Sequence, residues 1–204
     1  MTVQHSALTG AELHEPKGAA AATANTVYVA NGSGSGAWTS FTTWFATAVA
    51  ATATEINRWC DVSTRLISAG ATLAVTEASH DGKVILLNST GGSVCTLPAA
   101  TGSGARFMFR VSVLATSASH IVKVANSSDI IQGLVGTVDS DTAGTILAWA
   151  TAADSDTVTL NRSTTGSVIR GEWLELLDTA SNLWLIRGTV ANTGTGLTPF
   201  SATV

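Results

Sequence analysis

Residues that could carry chemistry are few in this chain, and their spacing does not bring them together. The four histidines, His5, His14, His80 and His120, fall at no i, i+4 or His-x-Glu spacing of the kind that aims two ligands at one zinc ion. His80 and His120, at the edges of apolar runs, read as turn or surface residues. The pairs Asp139/Asp141 and Asp154/Asp156 could each offer two carboxylates to calcium, but neither continues into the longer ligand series of a calcium loop, and Asp and Ser are ordinary loop formers. Glu172 and Glu175 have an odd separation, which on a strand sends them to opposite faces and prevents an acid/base couple. Gly102-Ser103-Gly104 follows Pro98 with no helix behind it to display a nucleophile, and the Gly-rich stretches lack the Lys-Ser/Thr ending of a phosphate loop. No catalytic, cofactor-binding or metal-binding residue is assigned, and an enzyme is not expected.

Two further residue types were weighed for function. Cys60 and Cys95 have no metal-type spacing and read as two free thiols. Trp149, Trp173 and Trp184 lie in a β-like region, where packing in a core is the ordinary role of an indole and a platform for sugars is the sharper alternative.

Composition limits the elements that could hold such residues. Of the 204 residues only 12% are charged, against roughly 25% in an average domain, while small residues and Thr abound. The net charge is -4 and the ten cationic side chains are scattered, with no basic stripe to neutralise phosphates, so nucleic acid is not an expected partner. No window approaches ~18 uninterrupted apolar residues and the start has no basic, apolar leader, so the chain is expected to be made and kept in a cytosol, away from membrane.

Organisation follows three composition zones. Residues 1–37 read as an extended arm, because the Ala-rich run 18–22 and the Gly-Ser repeat 32–36 bracket little apolar periodicity beyond a short strand at 27–29. Residues 38–65 read as a connector holding Trp38, Trp44 and Trp59. There Thr52-x-x-Glu55 forms a capping box that starts a short helix from Ala53 to about Cys60. Trp44, Ile56 and Trp59 would need a partner surface, and a second copy of the chain can supply one. From residue 66 to 204 short apolar runs alternate with Gly, Asn, Asp and Ser, the pattern of a β-sandwich or barrel.

Strands are predicted at 72–76, 83–87, 93–97, 106–114, 120–125, 146–150, 157–161, 171–177 and 184–190. In the clearest, Phe107, Phe109, Val111 and Val113 alternate with Arg106, Met108, Arg110 and Ser112, which places one set toward a core. Asp81-Gly82, Gly91-Gly92 and Ser181-Asn182 are dipeptides that reverse a chain, so hairpins between antiparallel neighbours are expected. The fold class is therefore mainly β: an extended arm, a short helical connector and a C-terminal antiparallel sandwich or barrel-like domain.

The segments TLPAATGSG (96–104), RFMF (106–109), IVKVAN (121–126) and DIIQG (129–133) together resemble a β-domain of tailed-phage structural proteins, as found in head decoration proteins, head fibres and tail fibres. ADSDTVTLN (153–161), EWLELLD (172–178), WLIRG (184–188) and TPF (198–200) carry the same resemblance. HSALTGAELHEPKG (5–18) and TATEIN (52–57) are similar to arm and connector segments of such proteins. The resemblance implies a virion protein, typically a homotrimer, whose arm meets the major capsid protein through His5, Leu8, Leu13, His14, Pro16, Val27 and Tyr28. It leaves two positions open: a capsid decoration (cement) or head-fibre subunit, or a tail-fibre or receptor-binding protein whose β-domain recognises host surface glycan.

Overall fold

The computed structural model describes residues 22–30, 36–48, 55–57 and 64–204. They belong to two units that meet in sequence at the Asn57/Arg58 junction.

In the first unit, strands β1 (Thr26–Ala30) and β2 (Gly36–Ser40) form an antiparallel ladder with Tyr28 opposite Trp38. The two rings lie 5.5 Å apart at 66°, the edge-to-face arrangement that aromatic quadrupoles favour. The strand expected at 27–29 is thus real, slightly longer, and paired with a second strand that spans the expected arm/connector boundary at 37/38. Ser40 ends the ladder and caps helix α1 (Phe41–Ala48): its Oγ accepts the Thr43 N–H at 3.1 Å, satisfying one of the free donors of the first turn. Residues 55–57 are helical, inside the predicted helix, whose two ends lie outside the described residues.

The second unit is a two-sheet sandwich. Its elements are β3 (Leu66–Ser68), β4 (Thr72–Ala74), α2 (Glu77–His80), β5 (Val84–Leu87), β6 (Val94–Thr96), β7 (Arg106–Val111) and β8 (His120–Lys123), followed by β9 (Ile130–Asp139), β10 (Ile146–Ala150), β11 (Thr157–Leu160), β12 (Trp173–Ala180), β13 (Leu183–Asn192) and β14 (Phe200–Ser201). One sheet has seven strands in the order β10-β9-β13-β12-β7-β5-β3, the other five in the order β14-β11-β8-β6-β4. All nine predicted strands are present.

From β3 to β8 the chain alternates between the sheets, so each strand returns to its own sheet running parallel to the one before. That is why β3/β5, β5/β7, β4/β6 and β6/β8 are parallel pairs. Hairpin chemistry appears later, in β9/β10 and β12/β13, with Asn182 at φ 64° in the tight turn of the second. Of the three turn dipeptides, only Ser181-Asn182 makes a hairpin. Asp81-Gly82 leads from α2 into β5, and Gly91-Gly92 arches the chain from one sheet to the other. Gly92 sits at φ 89° with no room for a Cβ beside the Ser119 carbonyl oxygen, so the crossing requires glycine.

The core lies between the sheets. Phe107, Phe109 and Val111 of β7, Leu174 and Leu176 of β12, and Trp184 and Ile186 of β13 meet Cys95, Val122, Val158, Leu160 and Phe200 from the other sheet. The alternation predicted for β7 holds through Val111, where the strand ends before Val113. Phe107 and Trp184 pack ring to ring at 5.6 Å. No helix among the described residues is long and apolar enough to cross a membrane.

Candidate interaction surface

Most acidic side chains in the sandwich hold loops rather than facing a cleft. Asp178, fully buried, accepts N–H bonds from Thr101 (3.0 Å), Gly102 (2.8 Å) and Ser103 (3.1 Å) and hydroxyl bonds from Thr101 and Ser103. Burial works to raise its pKa, but these donors outweigh it and hold the carboxyl below its ordinary value. The Thr101-Gly-Ser-Gly104 stretch is thus a loop wrapped on a carboxylate. Glu172 does the same for the N–H groups of Ser167, Val168 and Ile169 at 2.6 to 2.8 Å. Burial is the larger influence there and raises its pKa against those donors.

Of the acid pairs that could serve calcium, three of the four carboxylates are engaged in the same way, while Asp154 is exposed. Asp139 accepts the N–H groups of Asp141 and Thr142, while Asp141 accepts the Gly194 N–H at 2.6 Å and the Thr193 hydroxyl. Asp156 ties down the chain end through the N–H groups of Thr203 and Val204. Among the described residues no group of three or more His, Cys, Asp or Glu could hold a metal ion.

The histidines differ from their expected place at the surface. His120 is fully buried, with Nδ1 accepting the Ser93 N–H at 3.0 Å and Nε2 donating to the Val113 carbonyl at 2.8 Å, which fixes the neutral tautomer. Burial lowers its pKa, with the Val113 bond opposing. His80 is also buried and accepts the Thr76 N–H at Nδ1, closing the short helix α2 on itself. Cys95 is a free thiol in the core, its pKa pushed up to about 12 by burial. Cys60 lies outside the described residues.

The exposed feature is the outer face of the seven-stranded sheet. Alternation puts one set of side chains inward, and the cross-strand register assembles the other set into rows. One row runs Leu66, Val84, Met108, Glu175, Arg187 and Leu134 across β3, β5, β7, β12, β13 and β9. The next holds Leu86, Arg110, Trp173 and Thr189. Leu66, Leu134, Val138, Ile146 and Leu185 are large apolar residues left open to solvent. Seven strands at about 4.8 Å spacing make a face roughly 30 Å across, the width of a protein-protein contact rather than of a small-ligand site.

Within that face, Glu175 is nearly covered while both arginines that pair with it stay exposed. Arg187 donates from Nε and Nη2 to Glu175 Oε1, each at 2.7 Å, and Arg106 Nη1 lies 4.0 Å from Oε2. The guanidiniums and their stems shield the carboxylate. Together with Leu177, Leu185 and Ile186 they line a hollow of about 420 Å³. Arg110 adds a third guanidinium on the strands of this face, and Asp81 lies in the loop beside Arg106.

The residues singled out from sequence fall as follows. His5, Leu8, Leu13, His14, Pro16 and Trp59 lie outside the described residues. Val27 and Tyr28 stand half-buried on β1, Ile56 half-buried in the helical residues 55–57, and Trp44 exposed on α1 with its ring 6.0 Å from that of Phe41. Glu175 is read from sequence only as a rejected couple with Glu172; its pairing with the two arginines is not legible there, because only the strand order brings positions 106, 175 and 187 together. Of the indoles weighed as sugar platforms, Trp184 is fully buried, Trp149 packs against the core, and Trp173 lies half-buried between Arg110 and Thr189. Neither protein-family models nor curated proteins give a match to this chain.

Proposed function

We propose that this chain is a non-enzymatic structural subunit of a tailed-phage virion, a capsid decoration (cement) or head-fibre protein. It docks on the major capsid protein through its N-terminal segment and displays the sandwich at the capsid surface. The observation that carries the reading is the use of Asp139, Asp141, Asp156, Glu172 and Asp178 as loop staples. Carboxylates committed to main-chain N–H groups rigidify a surface and are withdrawn from acid/base work. The broad apolar sheet face suits contact with other proteins, and its excess of guanidinium suits a partner that brings carboxylates. Association of three copies through Trp44, Ile56 and Trp59 would multiply weak arm contacts by avidity. Glycan recognition would call for an open indole beside Asp or Asn. Trp173 has Arg110 and Thr189 across the strands instead, so the tail-fibre alternative gains nothing from this face.

The test is a binding assay on capsids assembled without this protein. The full chain is expected to decorate them, and a variant lacking residues 2–24 is expected to stay in solution while melting as cooperatively as the full chain. Equal decoration by the truncated chain removes the docking role of the arm. Failure of the full chain to bind removes the decoration role.

A further inference from the structure

The four edges of the two sandwich sheets are not alike. An edge strand presents main-chain N–H and C=O groups with no partner, and proteins usually blunt it by shortness, charge, proline or a bulge. Three edges follow this practice, since β3 and β4 have three residues each and β14 has two. β10 does not. Its five residues, Ile-Leu-Ala-Trp-Ala, carry no charge and no proline, and their pairing with β9 runs without a bulge. All but Trp149 are exposed, with Ile146 at 75%.

Hydrogen bonds at its two ends fix where the open groups lie. Asp139 N donates to Thr145 O at 3.0 Å and Thr151 N to Gly133 O at 3.1 Å, bracketing the β9/β10 ladder. Antiparallel pairs alternate between bonded and non-bonded positions, so Leu147 and Trp149 turn their main chain toward β9. The N–H and C=O groups of Ile146, Ala148 and Ala150 therefore point away from it. Among the described residues β10 has no second neighbour.

We propose that β10 pairs with β10 of a second copy, antiparallel about a two-fold axis through Ala148. Only even-numbered residues offer outward main-chain groups, so only a register with even opposite even can form a ladder. Setting Ala148 against itself places Ile146 against Ala150 of the second copy, and all three residues then donate and accept. Leu147 falls opposite Trp149 at the closer, non-bonded spacing, which covers a leucine that is otherwise 40% exposed. The small methyl of Ala148 tolerates its own image at the axis. The strand itself is uncharged, so the paired residues set no like charges opposite one another, and an isologous contact of this kind closes at two. The two seven-stranded sheets become one continuous sheet. The contact is defined by β10 alone, so its test is separate from that of capsid docking.

The register gives a sharp test in the full-length chain carrying Cys60→Ser. Bonded antiparallel partners have Cα atoms about 5.5 Å apart, within disulfide reach, whereas two copies of residue 146 would sit several residues apart. Under mild oxidation Ala148→Cys is expected to run mostly at twice the monomer mass on a non-reducing gel, and Ile146→Cys to stay at monomer mass. A second measurement avoids cysteine. Ala148→Pro removes only an outward N–H, leaves the β9 ladder its bonds, and is expected to halve the sedimentation mass at equilibrium while keeping the far-ultraviolet dichroism. Equal crosslinking by the two cysteine variants overturns the proposal, as does an unchanged mass in Ala148→Pro. Either result would mean that β10 is open or covered by something other than itself.

Discussion

Asp178 shows how a single side chain can decide a region that sequence leaves ambiguous. Its carboxylate satisfies three consecutive N–H groups of the loop at Thr101 to Ser103. Asp178→Asn would replace one acceptor oxygen by a donor and set N–H against N–H in a buried site, so a loss of about 3 kcal/mol is expected, read from the urea midpoint. A loss below about 0.5 kcal/mol, the ordinary surface value, would show that the loop holds itself. His120 makes a pH-dependent contribution. Its folded pKa is below the ordinary 6.5, so on acidification the unfolded chain takes up the proton first. Stability should therefore fall as pH drops from about 6.5 toward the lower folded value, and be fully present above 6.5. Glu172 acts in the opposite sense, since its raised pKa gives stability that is lost as pH rises from about 4.5 through the folded value. Comparing denaturant midpoints at pH 7.5 and 5.5 for the native chain and for His120→Asn isolates the histidine. The substitution should flatten the slope over that interval, and an unchanged slope would assign it to other groups.

At the scale of elements, the strands that were legible have uninterrupted apolar alternation and clear punctuation. β7 is the strongest case, with Phe107, Phe109 and Val111 all buried. β9 was not legible although it is ten residues long, because Gly133 and Gly136 break its pattern and read as turn residues. The two glycines have different reasons to be there. Gly133 holds φ 141°, and a Cβ there would collide with the Ile186 carbonyl oxygen on β13, whereas a Cβ at Gly136 would meet only the Gly188 carbonyl at 3.9 Å. Gly133→Ala is accordingly expected to cost about 2 to 3 kcal/mol and to reduce hydrogen-exchange protection along β9 and β13. Gly136→Ala should stay within about 0.5 kcal/mol of the native chain. Equal costs would mean that β9 can shift away from β13. The same dependence on neighbours hid the parallel pairs. A reversing dipeptide such as Gly91-Gly92 announces a turn but not whether the next strand joins the same sheet or the facing one. For that reason too, the cluster of Arg106, Glu175 and Arg187 could not be read before the order β7-β12-β13 was known.

At the scale of the whole molecule, the division into units can be argued energetically. Among the described residues the buried core lies between Ala69 and Phe200, and Asp156 clamps Thr203 and Val204 to the sandwich. The first strand of the sandwich, β3, is a three-residue edge whose Leu66 is exposed. The first unit has a different balance: Phe41 and Trp44 stay exposed on α1 and the ladder has only two strands, which by itself is marginal in water. Residues 58–204 produced alone are therefore expected to unfold in one cooperative transition, within about 4 °C of the main transition of the full chain, a shift that corresponds to roughly 1 to 2 kcal/mol for a domain of this size. Differential scanning calorimetry of the two proteins makes the comparison. A broad transition in the shorter one, with dye binding to exposed apolar surface, would show that the N-terminal unit completes the sandwich. A matching sharp transition would leave it free for attachment, the division of labour on which the docking proposal depends.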